Sequence, residues 1–229
     1  MDYHIKKPDS VFSFFSVFVR GVFVFFFLPL ISCAQISPDV KQSELSVVFE
    51  YSDEESLPSA RLCAFVESES DSRRSSLIQV STKKDGFIWN ADSLVRIKNG
   101  ERFWTGYTNF VMQKNEPFPL DSYKIILQHA DEKEAEDLLD FAYDSSFYKL
   151  NAAQAEEKMS EIEGIKKISI YDENNVLLYY GELSDNLSSS RKIWNTYPKA
   201  NYYNVIWQLE DSSVICILPK RLVVPDENE

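Results

Sequence analysis

The residue types that most often carry chemistry are scarce in this chain or badly spaced for it. Only two histidines occur, His4 near the start and His129. His129 alone cannot furnish a two- or three-histidine zinc site, and a Ser-His-Asp or Cys-His triad would have to recruit it. Lying just before an expected turn, it reads as a solvated histidine at a strand end. Cys63 and Cys216 each sit in a short apolar run and are too few for a thiolate cage. They are either buried thiols acting as small hydrophobes or, in an oxidising compartment, a disulfide tying the two halves of the chain together. The six glycines form neither G-x-G-x-x-G nor G-x-x-x-x-G-K-[ST], so phosphate cradles of those kinds are absent. Carboxylates are plentiful, and any two of them could in principle serve acid–base catalysis. The densest group is Asp131, Glu132, Glu134, Glu136 and Asp137, with Asp140 just beyond. Calcium requires several oxygens converging on one point, and the EF-hand spacing is missing. That group and Asp172-Glu173-Asn174-Asn175 therefore read as solvated acidic turns. No catalytic residue, metal ligand or cofactor is expected.

The aromatic side chains are the least ordinary feature of the chain. Tyr179-Tyr180, Trp194, Tyr197, Tyr202-Tyr203 and Trp207 cluster in its last third. Adjacent residues of a strand point to opposite faces, so each tyrosine pair is expected to send one ring into the core and one outward. An outward aromatic row can stack a sugar or anchor a protein, because Tyr and Trp are enriched at interfaces. Tyr180, Trp194, Tyr197 and Tyr203 are the candidate ligand or partner surface; the alternative is that these rings simply cover a thin core.

A different chemistry is written at the N-terminus. Lys6, Lys7 and Arg20 precede an apolar run, residues 21–30, that ends in Leu30-Ile31-Ser32-Cys33. The run has the length of a signal-peptide apolar region, about 7–15 residues, and is shorter than the ~20 residues a span needs. The order of basic start, apolar run, small residue and cysteine resembles a bacterial lipoprotein precursor. That resemblance implies cleavage after Ser32, diacylglycerol on the Cys33 sulfur and a palmitate-bearing, tri-acylated N-terminus. More than one acyl chain gives stable anchoring. Position 34 is Ala, so the inner-membrane retention signal of some Gram-negative lipoproteins is absent, and the resemblance leaves inner and outer membrane open. An uncleaved N-terminal helix is the alternative anchor. Either way the bulk of the chain faces the periplasm or exterior.

Residues 1–32 hold three basic and two acidic side chains. The remaining 197 residues keep 21 basic against 34 acidic, a net charge of −13. Such a surface repels phosphate backbones and anionic headgroups, so nucleic acid is not an expected partner. The length suits one large or two small domains.

The elements follow from patterning. Residues 33–44 are polar and read as a lipidated tether. From residue 45 apolar residues alternate with the period of two expected of half-buried strands. Strands are predicted over residues 45–51, 62–66, 77–80, 87–89, 102–112 and 123–128, with turn-prone clusters between them. Evenly spaced strands of this kind argue for a β-sandwich. Residues 131–144 look helical by composition, yet residues 131–134 also suit a hairpin turn. A returning strand over residues 135–143 would then align Leu139, Phe141 and Tyr143, and this reading is favoured. The arrangement resembles the last hairpin of immunoglobulin-like domains.

The second part reads α-β-β-α-β-β. A helix over residues 152–162 carries Ala155, Met159 and Ile162 on one stripe and ends at Gly164. Strands over residues 165–171 and 176–180 follow, then a helix from Ser184 or Asp185 to about Asn195. Two more strands are predicted over residues 203–209 and 214–218. A small antiparallel sheet with its helices on one face is the natural packing.

The expected organisation is thus a signal peptide (residues 1–32), a tether (33–44), an immunoglobulin-like antiparallel β-sandwich (45–148), a small α+β domain (149–224) and a tail (225–229). The expected function is that of a lipid-anchored cell-envelope protein, a non-catalytic binding or scaffolding module with an envelope protein as partner. An envelope hydrolase with paired carboxylates and a small-ligand-binding lipoprotein are the alternatives.

Overall fold

A computed structural model describes residues 38–68 and 72–223; the expected signal peptide, the expected lipidation site Cys33 and the C-terminal tail lie outside the described residues. The fold is mainly β, a two-sheet sandwich followed by a small α+β region. Eight strands build the sandwich: β1 (Gln42–Glu50), β2 (Ser59–Ser68), β3 (Ser75–Thr82), β4 (Ile88–Ala91), β5 (Val95–Asn99), β6 (Arg102–Phe110), β7 (Asp121–His129) and β8 (Glu134–Phe141). One layer runs β1-β2-β6-β5 and the other β4-β3-β7-β8. This is the immunoglobulin-like arrangement, the first, second, fifth and sixth strands facing the third, fourth, seventh and eighth.

Residues 134–141 form a strand although their composition favours a helix. Paired to β7 from Asp121↔Phe141 to Gln128↔Glu134, β8 sends Leu139 and Phe141 onto the core. Tertiary burial thus overrides local propensity. Tyr123, fully buried near the start of β7, donates its hydroxyl to the Pro119 carbonyl at 2.8 Å. This is the tyrosine corner of such sandwiches. The strand β5, exposed along its whole length, has no burial pattern and was not expected; it pairs with β6 through a hairpin whose turn places Gly100 at a φ of 62°.

The chain continues through the one-turn helix Ser145–Lys149 into α1 (Ala152–Glu161), β9 (Ile165–Tyr171), β10 (Leu177–Glu182), α2 (Ser190–Thr196), β11 (Tyr202–Gln208), β12 (Val214–Ile217) and the short β13 (Arg221–Leu222). A capping box starts α1: the Asn151 side chain accepts from Gln154 N, and the Gln154 side chain accepts from Asn151 N. Ala152, Ala155 and Met159 form its buried stripe. Ile162, expected on that stripe, is 44% exposed because the helix stops one residue before it. The second helix is also shorter than expected. Residues 185–187 make a separate 3-10 turn, and α2 starts afresh with Ser189 accepting from Lys192 N.

The second region does not build a separate sheet. Its strands, in the order β10-β9-β11-β12, are antiparallel among themselves, and β12 then pairs in parallel with β1, from Val47↔Val214 to Glu50↔Ile217. One nine-stranded sheet therefore crosses the expected boundary between residues 148 and 149, and the described residues lie in one compact unit. From β9 to β6 one face of this sheet is covered, while the edge strand β5 stays exposed. In the sandwich half it meets the four-stranded sheet; further along, Val205 and Trp207 pack with Ala155 and Met159 of α1, and Ile168 and Ile170 pack with Ile193 of α2. Helices on one face match the expectation from patterning.

The start of the sandwich also differs from the sequence reading. Gln42 already pairs with Glu67, Lys41 N donates to the Glu67 carbonyl, and Val40 packs against the main core. Residues 38–44, expected to be tether, therefore belong to the folded unit.

Phe49 lies where the two regions meet. Its ring is 5.5 Å from Phe147, 5.0 Å from Tyr148 and 6.4 Å from Tyr143, and its backbone is paired opposite Cys216. Phe49→Ala should cost about 3–5 kcal/mol, the usual penalty for deleting a large buried ring. Because the core is shared, circular dichroism and tryptophan fluorescence should still follow one urea transition in the wild type; separate transitions for the two regions would contradict a common core. Tyr123→Phe should cost roughly 1 kcal/mol, measured in the same titration.

Candidate functional site

The pleat separates the candidate aromatics. Tyr180 pairs opposite Ser169, whereas Tyr179 and Tyr203 both pair opposite Ile170. Ile170 belongs to the covered face, so Tyr179 and Tyr203 join it there. Tyr180 points the other way and is 51% exposed. Each tyrosine pair thus splits between core and outer surface as the alternation requires. Trp194 and Tyr197, carried on and just after α2, pack against the cluster around Ile168, Ile170 and Ile193, together with Tyr179 and Tyr203. The Tyr179 and Tyr197 rings are 5.7 Å apart. Three of the four expected residues therefore meet on one side of the sheet and Tyr180 lies on the other.

Tyr180 has a different neighbourhood. Lys167 Nζ lies 5.7 Å from its ring, and nearby on the same face the Tyr171 and Tyr202 rings stack at 4.9 Å. Lys220 Nζ caps Tyr202 at 3.6 Å from the ring centroid. Burial, with the Tyr171 phenol and the Asp172 charge beside it, raises the Tyr202 phenol above its usual range.

Trp194 borders a concavity. A cleft of about 470 Å³ lies between the β9–β10 turn and the segment after α2, lined by Asp172, Glu173, Asn174, Trp194, Lys199 and Asn201. Its two walls are fixed to each other by Asn201 N donating to the Tyr171 carbonyl at 2.8 Å. The turn is held by the Asp172 carboxylate, which accepts from Asn174 N at 2.9 Å and Val176 N at 2.8 Å. Asn175 takes the left-handed conformation there, φ 61°. The opposite wall is set by Tyr197 N donating to the Ile193 carbonyl and Ala200 N to that of Tyr197. The polar wall residues were legible only as turn formers and as a helix stop, since nothing in their spacing says that residues 172–174 and 199–201 meet.

The acidic group of residues 131–140 is dispersed around the β7–β8 hairpin. Asp131 is 3.3 Å from Arg74 and 3.9 Å from Lys133; Glu136 pairs with Lys124, Glu134 accepts from the Gln128 amide, and Asp140 accepts from the Ser122 hydroxyl. Among the described residues no group of three or more His, Cys, Asp or Glu is placed to hold a metal ion. His129 is at the end of β7 as expected but is not solvated: it is 1% exposed. It occupies the last inward position of the row Asp121, Tyr123, Ile125, Leu127, His129, and the turn folds over it through His129 N donating to the Lys133 carbonyl.

The two thiols are free. Cys216 faces the covered side, opposite Phe49, while Cys63 pairs opposite Ser46 and lies near Arg61 Nη1 and the Thr108 carbonyl. They sit on strands separated by β1, roughly 9.5 Å apart by strand spacing alone, and disulfides need Cα atoms within ~7 Å. The bridge between the halves is thus excluded, and the thiols are packing groups. Burial pushes the Cys216 thiol up to about 12; burial also raises Cys63, against the opposing pull of the Arg61 charge.

Among the described residues no helix is long and apolar enough to cross a membrane. No protein-family model, no curated protein and no solved structure matches the chain.

Both thiols should resist iodoacetamide at pH 8 in the native protein, because only thiolates react. Both should be alkylated in guanidinium without any reductant. Protein that gains no label at Cys63 and Cys216 when denatured and unreduced would contradict the placement on opposite faces.

Proposed function

We propose that this chain is a lipid-anchored protein of the cell envelope that acts as a non-catalytic binding or scaffolding module, its partner an envelope component. The observation that carries the reading is the N-terminal order of basic residues, apolar run and Leu30-Ile31-Ser32-Cys33. Acylation of Cys33 would place the folded unit outside the cytoplasm, within a short segment of the membrane, since β1 begins at Gln42.

Two further features support a role in binding. Immunoglobulin-like sandwiches serve as rigid frames whose loops and faces carry recognition. Asp131, Glu134, Glu136 and Asp140 of the β7–β8 hairpin are each engaged in ion pairs or hydrogen bonds that brace the hairpin, leaving its ends as a rigid frame. The strong negative charge disfavours docking onto anionic headgroups, so contact with the membrane falls to the acyl chains.

The test is metabolic labelling with palmitate of cells expressing the wild type or Cys33→Ala. Label should enter the wild type alone, and the mutant should retain its N-terminal 32 residues. Label that persists in Cys33→Ala, or is absent from both proteins, would overturn the anchor.

A further inference from the structure

We propose that the Trp194 cleft is a saccharide-binding site, taking a short oligosaccharide of equatorially substituted pyranose rings. The proposal rests on the reading of the chain as a binding module and names the ligand class for it.

The chemistry of the lining selects the ligand. Ligand sites are concave, of roughly 300–1,000 Å³, and combine apolar surface with a few placed polar groups; at about 470 Å³ this cleft has the size for a short oligosaccharide. Trp194, half-buried, supplies aromatic surface to the wall. A pyranose ring with equatorial hydroxyls presents its axial C–H groups as an apolar face, which an indole covers while its own N–H stays available as a donor. Around the indole stand the Asn174 and Asn201 amides, the Glu173 carboxylate and the Lys199 ammonium. Sugar hydroxyls, each both donor and acceptor, match such a mixed set.

Other ligand classes fit less well. The lining has no arginine for a phosphate, and Asp172 and Glu173 repel one. Polar groups dominate the walls, which suits neither an acyl chain nor an apolar peptide.

The site is also prepared before any ligand arrives. Asp172 is occupied in bracing its own turn, and the main-chain bond from Asn201 to Tyr171 fixes the wall spacing. Trp194 is held from behind by the Ile168, Ile170 and Ile193 cluster. A ligand entering such a cleft orders few side chains, which lowers the cost of binding. The exposed Asn201 holds its place through its backbone, which donates to the Tyr171 carbonyl and accepts from Val223 N.

The full chain in detergent micelles, labelled with 5-fluorotryptophan, should give four ¹⁹F resonances, one for each tryptophan, with Trp194→Phe assigning the relevant one. Titration with the trimer of N-acetylglucosamine or with cellotriose should shift the Trp194 resonance saturably and leave those of Trp89, Trp104 and Trp207 in place. Asn201→Ala, which keeps both backbone hydrogen bonds of that residue, should raise the half-saturating concentration roughly tenfold, as the loss of one or two hydrogen bonds implies.

The proposal fails if neither sugar moves the resonance at millimolar concentration, if all four resonances drift together, or if Asn201→Ala binds as well as the wild type. A response to trilysine in place of the sugars would also overturn it, making the cleft a cation site. Cys33→Ala protein should bind the sugars unchanged, so failure of the anchor and failure of the ligand class are told apart.

Discussion

The parallel pairing of β1 with β12, packed under Phe49, is the contact on which the rest of the structure depends. An immunoglobulin-like sandwich ordinarily leaves its first strand as an edge, a row of unpaired amides and carbonyls open to other chains. Here that edge is taken by a strand from the far end of the chain. Phe49 seals the junction from the covered side against Tyr143, Phe147 and Tyr148. The last strand of the sandwich, the turn that leaves it and the second region are thereby committed to one core. Such non-local pairing closes a long loop, which slows folding relative to local contacts.

A continuous sheet has two faces, and their unequal covering organises the side chains of interest. The four-stranded sheet and the two helices cover one face over most of its width, up to the exposed edge strand β5. Every residue on a strand of the large sheet is sorted by parity onto that face or the other. This places Cys216 within the core and Cys63 on the opposite side, leaving both without a bridging partner. It sends Tyr179 and Tyr203 inward and leaves Tyr180 and Tyr202 in contact with lysine side chains outside. Trp194 escapes the parity rule because it rides on a helix at the rim of the covered face, where core and solvent meet. A ring in that position can be held from behind and still offer an edge or plane to a ligand.

The chemistry fits the proposed location. If the proposed acyl anchor holds the protein, no membrane-binding surface is needed, and a net charge of −13 beyond residue 32 disfavours approach to anionic lipid or nucleic acid. A preformed, mostly polar cleft suits the hydrated, uncharged ligand proposed for it. Fold does not dictate this, since similar sandwiches carry many unrelated sites.

Local patterning was enough for much of the architecture. Period-two alternation marked β1, β2, β3 and β7; the turn at residues 131–134 and the apolar row Leu139, Phe141, Tyr143 marked β8 against its helical composition; and the stripe of Ala155 and Met159 with the stop at Gly164 marked α1. Two elements carried too little signal. The exposed strand β5 has no buried face to create a pattern, and the polar start of β1 resembled a tether because pairing with β2, not apolarity, makes it a strand. Composition determined the net charge, the absence of the nucleotide motifs and the N-terminal cysteine motif, all properties of the chain read in order. What only the tertiary structure decided is which distant segments touch: β1 with β12, residues 172–174 with 199–201, and Cys63 apart from Cys216. Those outcomes follow from sheet order and from the direction of each side chain, and neither quantity is present in any short window of sequence.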